Sequence, residues 1–323
     1  MFRFVFTVLT SLALTSFVLA AGSVHAAGPV LDVDFPDPLV LPVDGGLVAY
    51  ATNGKQGGKR LNIQFSRSSD GIHWSAPVDA MPELPRWARS SAPDVWAPEV
   101  MKIGDTYVMY FSARHKTRMR PDGLTLCVGA AVSKVPEGPF VPQTKPLTCG
   151  GELGAIDASP FRDGDDLWLY VKTDGNCCGV PIGIIAQRLT ADGQQLAGAP
   201  ALVEGVTNDK PWEGGVVEGE QMIKHDGRYY MVYAANDYGS DKYATGYAVC
   251  RGPVGPCRDA DENPILKSAP GLVGPGHQSV FDFQGRTWIA YHAWRNDGDP
   301  RKRYRAMYIS PLDWVDGKPV ITP

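Results

Sequence analysis

The chain has 323 residues, with 31 Lys and Arg against 35 Asp and Glu, a formal net charge of −4. That balance argues against a bulk nucleic-acid binder or a polybasic membrane-surface protein. Hydrophobic residues at 44% and charged residues at 20% argue against global disorder. The 36 glycines and 27 prolines are spread along the chain rather than gathered in tracts, as many short strands joined by many turns would require.

The first 26 residues carry one positive charge, Arg3, then an apolar stretch through Val18-Leu19-Ala20. Val24-His25-Ala26 supplies small residues at the −3 and −1 positions of a cleavage site, the pattern of a secretory signal peptide. The longest uninterrupted apolar run is too short to span a bilayer. Residues 27–323 are therefore expected as an exported domain, secreted or periplasmic, without a membrane partner. Six cysteines agree with export: Cys127, Cys149, Cys177, Cys178, Cys250 and Cys257. An even count in an exported chain implies disulfides. Nearest neighbours would give Cys127–Cys149, Cys250–Cys257 and a vicinal Cys177–Cys178. A zinc site competes weakly, since no CxxC pair is present.

One segment type recurs along the rest of the chain: a polar residue, a short apolar run, a Gly/Asp turn, then an aromatic-rich strand. Its copies are DPLVLPVDGGLVAYAT from Asp37, WAPEVMKIGDTYVMYFSA from Trp96, DASPFRDGDDLWLYVKT from Asp157, EGEQMIKHDGRYYMVYAA from Glu218 and HQSVFDFQGRTWIAYHAW from His277. The closing tyrosines, Tyr50, Tyr110, Tyr170, Tyr233 and Tyr291, are 60, 60, 63 and 58 residues apart. Each copy is followed by a second pair of strand signals, so each unit offers about four strands. No sustained helical period appears. Five such units predict an all-β, single-domain, five-bladed β-propeller.

In a propeller the first strand of each blade runs along the central channel, so the start of each copy lies near one mouth. Asp37, Trp96 (or Ala97), Asp157, Glu218 and His277 take those places. A single acid there would read as a turn or strand-end cap. Three acids at equivalent ends repel one another, a cost that points to function. Paired carboxylates across a cleft suit glycoside hydrolysis, one protonating the leaving oxygen and the other activating water. A third can raise the donor's pKa. Trp96, Trp212 and Trp294 offer stacking faces for sugar rings.

FPDP around Asp37, WAPEV from Trp96, IDASPF around Asp157, VVEG before Lys224 and GPGHQSVF around His277 are in order and in phase with the blades. Together they resemble glycoside hydrolase family 43, the five-bladed arabinanase, α-L-arabinofuranosidase and β-xylosidase family. The resemblance spans essentially all of residues 27–323 and implies hydrolysis with inversion. It implies Asp37 as general base, Asp157 as the residue that tunes and orients the donor, and Glu218 as general acid. It places His277 deep in the channel beside a bound cation, often Ca2+, held largely through water. It also implies an arginine from the last blade at the substrate, Arg305 or Arg303.

Two departures stand out. Glu220 occupies the place, two residues after the acid, where the family usually has proline. Glu213, in PWEGG, rivals Glu218 as donor, but Glu218 lies fifteen residues before Tyr233 and Glu213 twenty, against thirteen or fourteen in the other blades. Asp34 similarly shadows Asp37. SSDGIHWS at 68–75 resembles a sialidase Asp-box but occurs once and reads as a blade turn. A non-catalytic carbohydrate-binding propeller would not need the three acids. The chain ends soon after the fifth blade, with no C-terminal β-sandwich of the kind many β-xylosidases of the family carry, which favours arabinan-directed action. The expected partner is an oligo- or polysaccharide, with no nucleic acid and no organic cofactor, and the protein is expected to act as a monomer.

Overall fold

The computed structural model describes residue 1 and residues 28–176, 178, 183–296, 298–299 and 302–322. The expected leader over 1–26 lies almost wholly outside these residues, and the expected Cys177–Cys178 bridge depends on Cys177, which also lies outside them.

The described chain forms five four-stranded antiparallel sheets. Blade 1 holds β1 (Leu39–Val43), β2 (Gly46–Ala51), β5 (Gln64–Ser68) and β6 (Val78–Asp79), with a small hairpin of β3 (Gly54–Gln56) and β4 (Lys59–Leu61) inserted. Blade 2 holds β7 (Trp96–Ile103), β8 (Thr106–Arg120), β9 (Gly123–Ser133) and β10 (Val141–Pro142). Blade 3 holds β11 (Ala155–Asp163), β12 (Asp166–Thr173), β13 (Ile184–Leu189) and β14 (Leu196–Leu202). Blade 4 holds β15 (Val217–His225), β16 (Arg228–Ala235), β17 (Ala244–Cys250) and β18 (Cys257–Asp259). Blade 5 holds β19 (Gly276–Phe283), β20 (Arg286–Arg295), β21 (Tyr304–Val315) and β22 (Lys318–Ile321). The inner strands β1, β7, β11, β15 and β19 pack in succession, and β19 meets β1 to close the ring. The result is the predicted five-bladed propeller. Among the described residues no helix is long and apolar enough to cross a membrane.

Each sheet alternates side chains between two faces, and the buried face packs on the neighbouring blade. The tyrosine hydroxyls follow the ring: Tyr50, Tyr110, Tyr170 and Tyr230 donate to the carbonyls of Pro136, Gly193, Pro253 and Gly317, each in the next blade, at 2.6–2.7 Å. A buried hydroxyl needs a partner, and here that partner is the adjoining blade. In blade 4 this role passes to Tyr230, two residues before Val232 on the same strand. The sequence alignment through Tyr233 and Tyr291 is corrected by the strand register, which sets Val232 and Ala290 opposite Gln221 and Ser279, where Tyr50, Tyr110 and Tyr170 face Leu39, Glu99 and Ser159. Tyr233 instead donates to Glu213.

The ring is closed by the chain's own start: the amides of Val30 and Leu31 donate to the Met307 carbonyl on β21. Two of the expected disulfides are present. Cys250–Cys257 ties β17 to β18, and Cys127–Cys149 ties β9 to the segment leading to blade 3.

Candidate active site

The inner hairpins of blades 2 to 5 share one irregularity. Each slips register at the mouth end of its first strand, between Trp96 and Glu99, Ile156 and Ser159, Glu218 and Gln221, and Gly276 and Ser279. The residues thrown out by these bulges, Ala97, Asp157, Gly219 and His277, all take left-handed backbone, with φ of 45°, 56°, 58° and 49°. Asp37, at the corresponding place in blade 1, has φ 57°. Left-handed backbone costs an L-residue about 1–2 kcal/mol, and such positions cluster at functional sites. The bulge re-aims these five positions inward across the channel mouth.

The register also corrects one expectation. Glu218 is not level with Asp37 and Asp157; Gly219 is. A Cβ at Gly219 would sit 3.1–3.3 Å from the His277 ring and backbone, a tight approach that glycine relieves. The acid of blade 4 stands one residue earlier, where blade 2 has Trp96 and blade 3 has Ile156.

Asp37, Asp157, Glu218, Trp96, His277 and Arg305 all line one cavity of about 520 Å³ at the mouth, together with Asp34. Trp212 is not brought there: it stacks on Tyr233 and lies against Gly246 in the core of blade 4. Trp294 is on the rim between blades 4 and 5, with the Arg303 guanidinium 4.1 Å from its ring centre, and both line a neighbouring depression. Glu213 is fully buried away from the cavity, accepting from the Lys210 amide and the Tyr233 hydroxyl.

Asp37 accepts from the Thr52 hydroxyl at 2.5 Å and from Arg305 Nη1 at 3.0 Å. Its amide donates to His292 Nδ1 at 3.2 Å, and His277 Nδ1 lies 3.6 Å from its carboxylate. Burial would raise its pKa, but the charges of Arg305 and His277 outweigh burial and hold it well below the ordinary carboxylate value. Asp37 is therefore ionised at any working pH. Buried His292, accepting at Nδ1, is pushed down to about 4, chiefly by burial, and stays neutral.

Glu218 is likewise held by a cation and a hydroxyl. Its Oε2 accepts from Lys172 Nζ at 2.7 Å and its Oε1 from the Tyr243 hydroxyl at 2.9 Å. Lys172 is 0% exposed. Burial would raise Glu218, yet the Lys172 charge wins and lowers it. Asp157 accepts from the Gly219 amide at 3.1 Å, and its own amide donates to Ser112 Oγ at 3.2 Å. Burial, with the charge on Glu218 adding to it, lifts Asp157 to about 6. One cavity thus holds an obligate carboxylate and, facing it, a pair of acids over which a proton can be shared near neutral pH.

Thr52, Lys172, His292 and Tyr243 were not singled out in the sequence. Lys172 had a signal: it is a lone lysine inside the apolar run LWLYVKT, where a charge is expected only with a partner.

Deeper in the channel, Glu99, Glu220, Ser159, Gln278 and His277 line a second cavity of about 10 Å³, room for about one water-sized sphere. Glu220 is 2% exposed, and neither of its carboxylate oxygens has a hydrogen-bond partner; Ser159 Oγ lacks one as well. Burial and the nearby Asp157 push Glu99 up to about 8 and Glu220 well above the ordinary range. Orphaned oxygens in so small a space suit a hard cation or a water. Among the described residues no three His, Cys, Asp or Glu side chains are set to hold an ion unaided. That space takes one ion or one water, so the water shell of a cation there would have to lie toward the larger cavity, past His277, which lines both.

Comparison with known proteins agrees with this architecture. A β-D-galactofuranosidase of Aspergillus niger is 28% identical over 303 residues, covering 89% of this chain and 82% of its own. A crystal structure of a thermostable family-43 glycoside hydrolase superposes with a TM-score of 0.77 at 30% identity, covering 91% of this chain and 95% of that one. An endo-arabinase from Bacteroides thetaiotaomicron superposes with a TM-score of 0.71 at 25% identity, covering 90% and 98%. The family model for glycosyl hydrolases family 43 matches residues 26–319. The chain belongs to glycosyl hydrolases family 43.

Proposed function

We propose that the protein hydrolyses arabinofuranosyl linkages of arabinan or of arabinose- and xylose-containing oligosaccharides, with inversion. The observation that carries this reading is the convergence of Asp37, Asp157 and Glu218 on one cavity with Asp37 held ionised. Asp37, aligned by Thr52 and Arg305, takes the proton of the attacking water. Glu218 protonates the departing oxygen. Asp157 serves the donor: its raised pKa keeps a proton within the acid pair, and a bound glycan that displaces water from Glu218 favours moving that proton to Glu218. Trp96 and Arg305 bind the sugar, with Trp294 at the rim. The endo-arabinase among the similar structures supports the arabinose-directed choice.

Export, with removal of about 26 residues, accords with the disulfides. We also propose that a cation such as Ca2+ sits on the axis near His277, held by Glu220 and water. Its charge would relieve the repulsion among the channel acids.

A panel of aryl glycosides with linear arabinan and xylan tests the reading. Arabinofuranosides should be cleaved fastest and Asp37→Asn should abolish turnover. Preference for xylopyranosides, or an active Asp37→Asn, would overturn it.

A further inference from the structure

The second strands of the blades are not alike. β8 has 15 residues, against 6, 8, 8 and 10 for β2, β12, β16 and β20. Trp96, which lines the cavity, pairs with Ser112, so everything from Ala113 to Arg120 rises above the mouth as an arm. The arm reads ARHKTRMR, a run of cations containing no acidic residue, in a chain of net charge −4.

The arm is built, not frayed. Its pairing with β9 slips between Arg114 and Met119, so residues 115–118 bulge outward. His115 Nδ1 accepts from the amides of Thr117 and Arg118 at 3.3 and 3.1 Å, closing the bulge. The His115 ring stacks on Trp87, which stacks in turn on Phe111. Lys116 Nζ donates to the Arg86 carbonyl at 2.9 Å, and Arg118 Nη2 to the Gly151 carbonyl at 2.7 Å.

The charges divide by position. Beside the cavity, Arg114 pairs with Asp94, and Arg120 with Asp122 and Asp174. Farther out, exposed Arg86, Arg89, Lys116 and Arg118 contact at most neutral oxygens and form no ion pair among the described residues. Four uncompensated cations fixed on one ridge leave a positive field beside the mouth.

We propose that this ridge binds the carboxylates of an acidic polysaccharide, so that the sugar removed in the cavity is a neutral branch or end on a uronate-bearing chain. The proposal rests on the glycosidase reading of the cavity. A neutral glycan offers the four cations nothing. A uronate chain offers planar carboxylates at sugar spacing, and guanidinium groups match carboxylates two bonds at a time. A polymer seated at Trp96 passes next over this arm.

The test uses an arabinose-substituted polyuronate and the same polymer after reduction of its carboxyls to primary alcohols, which leaves the cleaved linkage intact. For the full chain at low ionic strength, kcat/KM on the acidic polymer should exceed that on the reduced one by about tenfold. Near 1 M salt, where the Debye length is about 3 Å, the excess should vanish. The variant with Arg86, Arg89, Lys116 and Arg118 all changed to Gln keeps side-chain hydrogen-bond donors. It should lose the excess while cleaving neutral aryl arabinofuranosides at the parent rate. Equal kcat/KM on the two polymers, or an excess that survives in the variant, would overturn the proposal. So would binding of double-stranded DNA as tight as that of the polyuronate, which would mark a general polyanion surface. Should every arabinoside prove inert, the cavity reading fails by itself. Affinity electrophoresis of the protein through each polymer then decides the ridge: retardation by the acidic polymer alone supports it, and equal mobility overturns it.

Discussion

Replacing Lys172 by Met removes the one cation buried against Glu218. The Lys172 side chain is fully enclosed, and its Nζ lies 2.7 Å from Glu218 Oε2. Methionine conserves the apolar stem, so the change deletes the charge with little loss of packing. Breaking a buried pair from one side leaves the other charge uncompensated, at about 3–5 kcal/mol. At about 2 °C per kcal/mol for a chain of this size, the melting temperature at pH 8 should drop by about 6–10 °C. The sign with pH follows from Glu218. In the parent, Lys172 holds the folded pKa of Glu218 below the ordinary value, a stabilisation present at neutral pH and lost as pH falls. In the variant, burial acts alone and the folded pKa lies above the unfolded one, so the penalty is full at high pH and is relieved as Glu218 takes a proton. The deficit in melting temperature should therefore shrink from pH 8 to pH 5. The alkaline limb of kcat/KM, which reports the free enzyme's acid, should move upward. Thermal unfolding and initial rates across that range measure both. A deficit independent of pH, with an unmoved limb, would show that Lys172 serves packing and does not set the charge of Glu218.

Glu218→Gln should cost far less on aryl glycosides with good leaving groups than on oligosaccharides, because the former barely need protonation. Glu213→Gln should show no such dependence; the reverse pattern would assign the donor to Glu213. In metal-free protein, Glu99→Gln should stabilise at pH 8 by a few kcal/mol at most. Burial pushes Glu99 up to about 8 when folded against an ordinary value of 4.5, so its ionisation penalty is present above pH 8 and fades towards pH 4.5. A destabilised variant at pH 8 would contradict the assigned repulsion. Chelation should lower kcat/KM more than melting temperature, with Ca2+ restoring the loss. Full activity of metal-free protein together with an undisturbed His277→Ala variant would leave His277 as a hydrogen-bonded channel residue.

The blades were legible because each is local: a polar start, a two-residue turn and alternating strands recur every sixty residues or so. Asp37 and Asp157 were legible because they open their repeats. What the sequence hid was register. Blades 3 and 4 bulge alike, so Gly219 before Val232 takes the place of Asp157 before Tyr170; matching acid to acid instead read Glu218 as level with Asp157. The choice of Tyr233 as the closing residue was also wrong: it serves Glu213, while Val232 holds its register place and Tyr230 makes the interblade hydrogen bond. Trp212 read as a sugar platform because exposure cannot be judged from residue type; its ring packs on Tyr233. Lys172 and His292 were hidden because they sit on second strands, in different blades from the acids they serve. Contacts such as Lys172 to Glu218, 46 residues apart, and His292 to Asp37, 255 apart, exist only once the ring closes.

The central claim is that Asp37 activates a water against a sugar whose leaving oxygen is protonated by Glu218. Proton NMR of the first sugar released from an arabinofuranoside, recorded before mutarotation, tests it most directly. The account predicts the anomer opposite to that of the substrate. Release of the same anomer would mean that a carboxylate attacks the sugar itself, and would contradict the assignment of Asp37 as base.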